Sequence, residues 1–205
     1  YNGNANNVDI LHDLKVDNSG NVYITGESRS IESGSDIVTI KYNSSGQQIW
    51  LSRYTSNQTS SEYRPEFQFD SFGNIFVVGN MQYISEGIFR NAILILKYNP
   101  SGEIQFSKTY TGTLEMDYVE NFKLDNSGNI YAVGNRCVDI SISKYDLLFV
   151  KFNPTGDMIW NKTHNGNLDE NDYGSNVTID LEGNVYIGGN VNNISDYYLA
   201  KFDTS

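Results

Sequence analysis

Short alternations of apolar and polar residues recur along the whole chain. Before the phrase DNSGN at 17–21, for example, the apolar Leu14 and Val16 flank the polar Lys15. This two-residue period is typical of a β-strand with one buried face. No segment keeps the 3.6-residue period of an amphipathic helix. The pattern therefore predicts an all-β protein.

The predicted strands form a repeat of four units. The phrase DNSGNVYITG at 17–26 returns as DSFGNIFVVG at 70–79, DNSGNIYAVG at 125–134 and DLEGNVYIGG at 180–189. A repeat period near 50 residues is typical of propellers and related arrays. The units are assigned to residues 1–56, 57–112, 113–166 and 167–205, within a single repeat region that spans 1–205.

Each phrase begins with a predicted tight turn. An aspartate at this position accepts backbone N–H groups, and the following glycine provides a positive φ angle. We assign structural roles to these turn residues: Asp17, Asp70, Asp125, Asp180, Gly20, Gly73, Gly128 and Gly183. Calcium loops are the alternative, but the EF-hand spacing D-x-[DN]-x-[DN]-G is not met.

A third strand in each unit is apolar on both faces. Its copies are DIVTIKYN at 36–43, AILILKYN at 92–99, DLLFVKFN at 146–153 and DYYLAKFD at 196–203. Such a strand must be covered on both sides, as stacked propeller blades would do. Its single lysine is expected to pair with an acid from a neighbouring blade.

An aromatic fourth strand follows in the first three units only. It contains Trp50, Phe106 or Trp160, and the fourth unit ends before it. We therefore predict a β-propeller fold of four consecutive, roughly four-stranded blades, the last lacking its outer strand. The simplest interpretation is that the chain belongs to a larger propeller.

Charge and composition narrow the choice of partners. The chain has 14 Lys and Arg against 25 Asp and Glu, for a net charge of −11, which disfavours nucleic acid and anionic membranes. No segment is long and apolar enough for membrane insertion, and the single Cys137 excludes an internal disulfide. No catalytic, cofactor or metal-ligand motif is present, so we predict no catalytic residue, no cofactor and no metal.

The combined repeat resembles a known bacterial family. The pattern D-x-x-G-N-(V/I)-(Y/F)-x-x-G, followed by D-x-x-x-x-K-(Y/F)-(N/D)-x-x-G-x-x-x-W, is similar to the SBBP β-propeller repeat over the whole chain. One departure is Asn91-Ala92, where the other units have an aspartate. The resemblance implies a secreted or cell-surface protein, with further blades or domains in the same polypeptide. It carries over no catalytic motif.

Four acids, each eight residues before a turn aspartate, form the first candidate site. They would ring one mouth of a central channel and attract cations or a basic partner segment. In the structural alternative, each carboxylate accepts backbone N–H groups of the neighbouring blade and fixes the blade spacing. The four acids are Asp9, Glu62, Asp117 and Asp172.

The variable connections between the second and third strands form the second candidate site. The longest carries Tyr83, Ile84, Ile88, Phe89 and Arg90. These residues would either contact a protein or glycan ligand or pack on the neighbouring blade.

Three functions are consistent with these patterns. The first is a non-enzymatic extracellular binding or adhesion scaffold that contacts protein or glycan through variable blade loops. The alternatives are a propeller enzyme, a hydrolase or lyase with its site at the channel mouth, and a purely structural spacer or assembly module. Repetition without a singular polar cluster favours the scaffold. A deep pocket with polar groups that break the repeat would favour the enzyme.

Overall fold

The computed structural model describes residues 1–3, 7–30, 34–56 and 60–203. In these residues the chain forms 15 strands, arranged in four sheets. The described part of the chain contains no helix with the length and apolar character needed to cross a membrane. The prediction of an all-β protein is confirmed.

Each predicted repeat contains one sheet, whose strands neighbour one another in chain order. The first sheet is β1 (Asp9–Val16), β2 (Val22–Arg29), β3 (Ser35–Tyr42) and β4 (Gln48–Tyr54). The second is β5 (Ser61–Phe69), β6 (Ile75–Ser85), β7 (Ile88–Tyr98) and β8 (Ile104–Tyr110). The third is β9 (Asp117–Leu124), β10 (Ile130–Asp139), β11 (Lys144–Phe152) and β12 (Met158–His164). The fourth is β13 (Tyr173–Ile179), β14 (Val185–Val191) and β15 (Asp196–Phe202). Three strands in the last sheet agree with the sequence-based prediction.

The chain divides into two compact units, Tyr1–Ser107 and Lys108–Ser205. In the first unit, aromatic and aliphatic side chains of the first two sheets form one core. Tyr23 of β2 packs edge-on against Phe69 of β5, with ring centroids 4.8 Å apart. Perpendicular rings of this kind are a favourable aromatic geometry. The core therefore joins two successive sheets face to face.

The second unit repeats this arrangement with the third and fourth sheets. Phe149 of β11 contacts Trp160 of β12 and Phe202 of β15, at centroid distances of 5.0 and 4.8 Å. Val177, Val185 and Ile187 complete the same core from the fourth sheet. Successive side chains of a strand point to opposite faces of its sheet. The core side chains of β14 and β15 therefore all lie on the face that packs on the third sheet.

The repeated lysine of each third strand lies over an aromatic ring. Its ammonium group is 4.6–5.3 Å from the centroid of the ring directly opposite on the second strand. The pairs are Lys41 with Tyr23, Lys97 with Phe76, Lys151 with Tyr131 and Lys201 with Tyr186. The predicted acid from a neighbouring blade is therefore wrong as the shared partner. Cross-strand pairing places an electron-rich ring beside each lysine. In the second sheet, Lys97 Nζ also lies 3.8 Å from Oδ2 of Asp70, which is an acid of the same sheet.

The predicted turn geometry is visible in all four repeats. In the third repeat, Oδ1 of Asp125 accepts the backbone N–H groups of Ser127 and Asn129, both at 2.9 Å. Its Oδ2 accepts the side-chain amide of Asn129 at 2.7 Å. Gly128 has a φ of 81°, which is a left-handed conformation that glycine adopts without strain. The carboxylate thus organises the hairpin internally.

Substitution of Asp125 by alanine is expected to destabilise the chain by about 2 kcal/mol, because three charge-assisted hydrogen bonds are lost at once. Urea denaturation of Asp125→Ala and of the parent chain measures the difference. The matched control is Asn126→Ala, since Asn126 lies exposed in the same turn. Equal losses in the two variants would contradict a specific role for the aspartate.

Candidate functional site

The four acids proposed for a channel mouth lie at the beginning of the first strand of each sheet. Glu62, Asp117 and Asp172 are fully buried, and Asp9 is half-buried. Three of the acids bind a group six residues earlier in the chain. Asp9 accepts the Gly3 N–H at 2.8 Å, Glu62 accepts the Ser56 hydroxyl at 2.6 Å, and Asp172 accepts the Gly166 N–H. This geometry fixes the connection that enters the first strand in three of the four sheets. The acidic ring stays a prediction.

Two of these acids lie close to an arginine. Asp117 forms an ion pair with Arg136, with 2.9 Å between Oδ2 and Nη2, and the same guanidinium donates to the Tyr110 hydroxyl at 2.6 Å. In the first sheet, hydrogen bonds from Ser28 and Gly3 lower the pKa of Asp9, and the nearby Arg53 adds to the effect. The Asp9 carboxylate is therefore stabilised in its ionised form.

Glu62 lacks an equivalent cation among the described residues. Its cross-strand neighbour is Met81, whereas Asp117 of the third sheet faces Arg136. The hydroxyls of Ser56 and Ser60 donate to Oε1, while the buried Oε2 has no hydrogen-bond partner in the described part of the chain. Burial raises the pKa of Glu62 above its ordinary value.

The predicted contact loop is a β-hairpin. β6 and β7 extend to a two-residue turn at Glu86 and Gly87, which both have positive φ angles of 52° and 76°. Such turns match the twist of paired strands. The sequence pattern predicted a loop here. The segment forms a hairpin instead, because β6 and β7 both extend into it.

The hairpin divides the predicted patch between its two faces. Ile84 pairs with Phe89 on one face, and both side chains are more than half exposed. Tyr83 pairs with Arg90 on the other face, where Tyr83 packs against the core of the first unit. Ile88, paired with Ser85, lies on the Tyr83 side. The exposed pair at the tip is thus Ile84 and Phe89.

An open cavity with both polar and apolar lining residues lies between the third and fourth sheets, within the second unit. Its volume is about 300 Å³. The strands β9, β10, β13 and β14 and the β14–β15 connection supply its walls. The lining residues are Glu120, Asn135, Tyr173, Gly174, Ser175, Asn190 and Ile194. Polar side chains and one aromatic ring therefore converge on a space of small-ligand size.

Close approach of β13 to β10 shapes this cavity. The Oδ1 atom of Asn135 accepts the Gly174 N–H at 3.0 Å. A Cβ atom at position 174 would lie 2.6 Å from the Gly134 carbonyl oxygen, so a larger residue would force the strands apart. The equivalent positions in the other repeats are Leu11, Arg64 and Val119. Glycine at this position is therefore specific to the fourth sheet.

The buried Asp172 holds the rim of the cavity. Its Oδ1 accepts the Asn192 N–H at 2.8 Å, and the Asn192 side chain accepts the Leu168 N–H at 3.1 Å. The three residues Asn192, Asn193 and Ile194 have φ angles of 55°, 56° and 67°. A left-handed β-branched residue is strained, and Ile194 is also 69% exposed. Asp172 therefore holds the connection that carries Ile194, one of the residues that line the cavity.

Aromatic rings back the cavity wall. Tyr145 lies between Tyr118 and Tyr173, with ring centroids 5.9 and 6.4 Å from its own. Burial raises the pKa of Tyr173, and Tyr145 adds to the shift. The Tyr173 hydroxyl therefore stays protonated near neutral pH and can donate a hydrogen bond.

Sequence reasoning missed this cavity, although a signal was present. The repeat places tyrosine directly after the three fully buried acids, at Tyr63, Tyr118 and Tyr173. It also places asparagine after the last glycine of the second strand in three repeats. Those asparagines are Asn80, Asn135 and Asn190. These repeated tyrosines and asparagines include Tyr173, Asn135 and Asn190, which line the cavity.

A second cavity of about 250 Å³ lies on the first sheet. Its lining combines aliphatic side chains, among them Ile24, Val38 and Ile40, with the carboxylates of Asp9 and Glu27. Beside it, His12 Nε2 lies 2.6 Å from a carboxylate oxygen of Glu27. Across the described residues, no group of three or more His, Cys, Asp or Glu side chains is arranged to hold a metal ion.

The fold of this chain is similar to solved structures, whereas its sequence matches no family model and no curated protein. A Dyadobacter fermentans protein of unknown function is similar at a TM-score of 0.63 and 11% identity, over 95% of this chain and 66% of that one. An ulvan lyase, solved with a bound glycan of glucuronic acid and sulfated rhamnose, is similar at a TM-score of 0.64 and 13% identity. That match covers 92% of this chain and 51% of the lyase.

These similarities establish the fold class. The four sheets correspond to blades of β-propeller proteins, as the sequence predicted. The chain spans about half to two thirds of the length of these two structures. Identities of 11% and 13% show a shared fold, and the function must be argued from the side chains of this chain.

The raised pKa of Glu62 predicts a stability that depends on pH. The folded chain binds this proton more tightly than the unfolded chain, so stability falls as pH rises from the ordinary value of 4.5 through the folded pKa. Glu62→Gln imitates the protonated acid. It is expected to stabilise the chain by about 1–2 kcal/mol near neutral pH and to give less benefit in acid.

Urea denaturation at two pH values measures this difference. Glu86→Gln is the matched control, because Glu86 lies exposed in the β6–β7 turn. The same gain for Glu62→Gln at neutral and acidic pH would contradict the argument.

Proposed function

We propose that this chain is a glycan-binding part of a non-enzymatic propeller protein, with its binding site in the cavity between the third and fourth sheets. The observation that carries the proposal is the convergence of Asn135, Asn190 and Glu120 around Tyr173 in a cavity of about 300 Å³. That volume is at the lower end of the usual range for small-ligand pockets, so the cavity suits a single sugar residue of a longer chain.

The lining matches the chemistry of a sugar. Each sugar hydroxyl both donates and accepts hydrogen bonds, and each asparagine side chain offers both functions at fixed positions. A tyrosine ring packs against the C–H face of a sugar while its hydroxyl bonds a polar group. The exposed Ile194 adds an apolar edge at the rim.

The charge pattern of the cavity favours binding over hydrolysis. Glycosidases generally use two carboxylates on either side of the scissile bond. Glu120 is the single carboxylate among the residues that line this cavity. Hydrolysis would need a second carboxylate from outside the cavity lining, whereas binding needs no second carboxylate.

Two further observations support a glycan ligand. A similar structure, the ulvan lyase, was solved with a glycan bound. The repeat also resembles that of secreted or cell-surface bacterial proteins, which makes an extracellular glycan accessible. An extracellular location is part of the proposal.

A glycan-cleaving enzyme is the second candidate. It is favoured by the structural similarity to a polysaccharide lyase, of which this chain spans 51%. His12 is the residue to test, because a carboxylate 2.6 Å from an imidazole is a common arrangement for a general base. A lyase leaves an unsaturated sugar end that absorbs ultraviolet light. Product formation that disappears in His12→Asn would favour the enzyme over the scaffold.

Replacement of Tyr173 by alanine is expected to weaken glycan binding on the order of tenfold, because the aromatic surface and hydroxyl are lost together. Asn190→Ala is expected to weaken it about fivefold, as for one or two lost hydrogen bonds. Isothermal titration of soluble oligosaccharides into the 205-residue chain measures both values.

Tyr197→Ala is the matched control, since Tyr197 is 95% exposed on β15 and does not line the cavity. Urea denaturation of each variant separates loss of binding from loss of folding. Tyr173→Ala binding as tightly as the parent chain would place the glycan site elsewhere.

A further inference from the structure

The repeat allows equivalent faces of the sheets to be compared. In the second sheet, Phe67, Val77 and Leu96 lie directly opposite one another on three neighbouring strands, so their side chains share one face. All three are fully buried, and they belong to the core that also contains Tyr23 of the first sheet. This row of the second sheet is therefore covered by the sheet that precedes it in the chain.

The fourth sheet repeats this arrangement. Val177, Ile187 and Ala200 are paired across its three strands at the equivalent positions. They belong to the core of the second unit, together with Phe149 of the third sheet. In each unit, one sheet thus covers the apolar row of the sheet that follows it.

The same row of the first sheet is also apolar, but it is partly exposed. Its members are paired across all four strands and are Leu14, Ile24, Ile40 and Leu51. Ile40 is buried, whereas Leu14 is 52% exposed and Leu51 is 37% exposed. Ile24 and Ile40 also line the cavity of about 250 Å³. We call these four residues the first-sheet face.

The fourth sheet exposes the complementary half of the same interface. In the third sheet, Tyr131, Leu147 and Phe149 are the buried side chains that form a core with the fourth sheet. Their equivalents, which we call the fourth-sheet face, are Tyr186, Tyr197 and Leu199. Tyr197 is 95% exposed and Leu199 is 76% exposed. Isolated apolar side chains are common on protein surfaces, but a contiguous set of them indicates an interaction site.

We propose that the fourth-sheet face of one copy of this chain docks on the first-sheet face of a second copy. The chain carries both halves of an interface that it already forms twice, once within each unit. Docking would remove both exposed apolar surfaces from water, which is favourable. The second copy supplies from another chain the contact that a further blade would supply within one polypeptide.

The two faces differ, so the proposed interface is heterologous. A pair of copies still exposes one half of the interface at each end. Association therefore continues beyond the dimer unless the copies close into a ring.

The net charge of the chain opposes this association. Each copy carries a net charge of −11, so two copies repel each other at low salt. Added salt screens this repulsion and leaves the apolar contact intact. The association should therefore strengthen as the sodium chloride concentration rises, whereas an interface held by ion pairs would weaken.

Sedimentation velocity of the 205-residue chain tests the association. The average mass is expected to exceed that of one chain as the protein concentration rises, and to increase further at higher salt. A chain that stays monomeric at every concentration, at both low and high salt, would overturn the proposal.

Single-face variants test which surfaces meet. Leu14→Asp places a charge on the first-sheet face, and Leu199→Asp places one on the fourth-sheet face. Both positions are exposed, so the fold should be retained. Each variant alone is expected to associate on the order of tenfold more weakly than the parent chain, because docking would bury an unpaired charge. A mixture of the two variants should form a dimer with one copy of each and no larger species, because one intact half of each kind remains.

Phe72→Asp is the matched control, since Phe72 is 83% exposed in the turn between β5 and β6 and belongs to neither face. It should associate like the parent chain, and urea denaturation of each variant separates loss of association from loss of folding. Undiminished association of Leu199→Asp alone would overturn the head-to-tail arrangement, because two first-sheet faces would then suffice. Equal weakening by all three variants would also overturn the proposal, since added charge anywhere would then have the same effect.

Discussion

Burial of both faces of the third strand in the first three sheets is the constraint on which the rest of the structure depends. The expectation fails for β15 of the fourth sheet, where Tyr197 and Leu199 are exposed on the face that packs on no other sheet among the described residues. Residues Ala92–Leu96 of β7 and Leu147–Val150 of β11 are all at most 1% exposed. Side chains alternate between the two faces of a strand, so a run of this kind needs an apolar layer on each side. Stacked sheets provide such layers. The aromatic residues of the second, third and fourth strands then fill the space between them, as Phe149, Trp160 and Phe202 do in the second unit.

The acids at the beginning of the first strands show how one structural position can acquire different properties. Asp117 has an arginine partner, Asp172 binds backbone N–H groups, and Glu62 retains an oxygen without a hydrogen-bond partner in the described residues. Burial is common to all three, but their hydrogen-bond and ion-pair partners differ, and at Glu62 burial raises the pKa above its ordinary value. A repeat in the sequence therefore fixes where a carboxylate lies and leaves its electrostatics to neighbours that do not repeat.

The fold could be predicted from local patterns, since the signals that specify it are themselves local. Turn chemistry at Asp125 and Gly128 and the two-residue alternation of the strands locate every sheet. The partner of Lys151 was not predicted, because the sequence does not show that Tyr131 lies directly opposite in register. The β6–β7 hairpin was missed for a related reason. Its two strands are longer than the equivalent strands of the other repeats, and the turn at Glu86 and Gly87 has no counterpart in the other units.

The candidate site was harder to predict because it depends on the distance between two sheets. Tyr173 and Asn190 are repeated residues, and repetition alone suggested a structural role for such positions. They line a cavity here because Gly174 lets β13 approach β10, at a position where the other repeats have Leu11, Arg64 and Val119. In an array of similar blades, repeated residues build the frame and supply general hydrogen-bonding groups. Gly174 departs from the repeat, and this departure decides how closely the third and fourth sheets approach at the cavity.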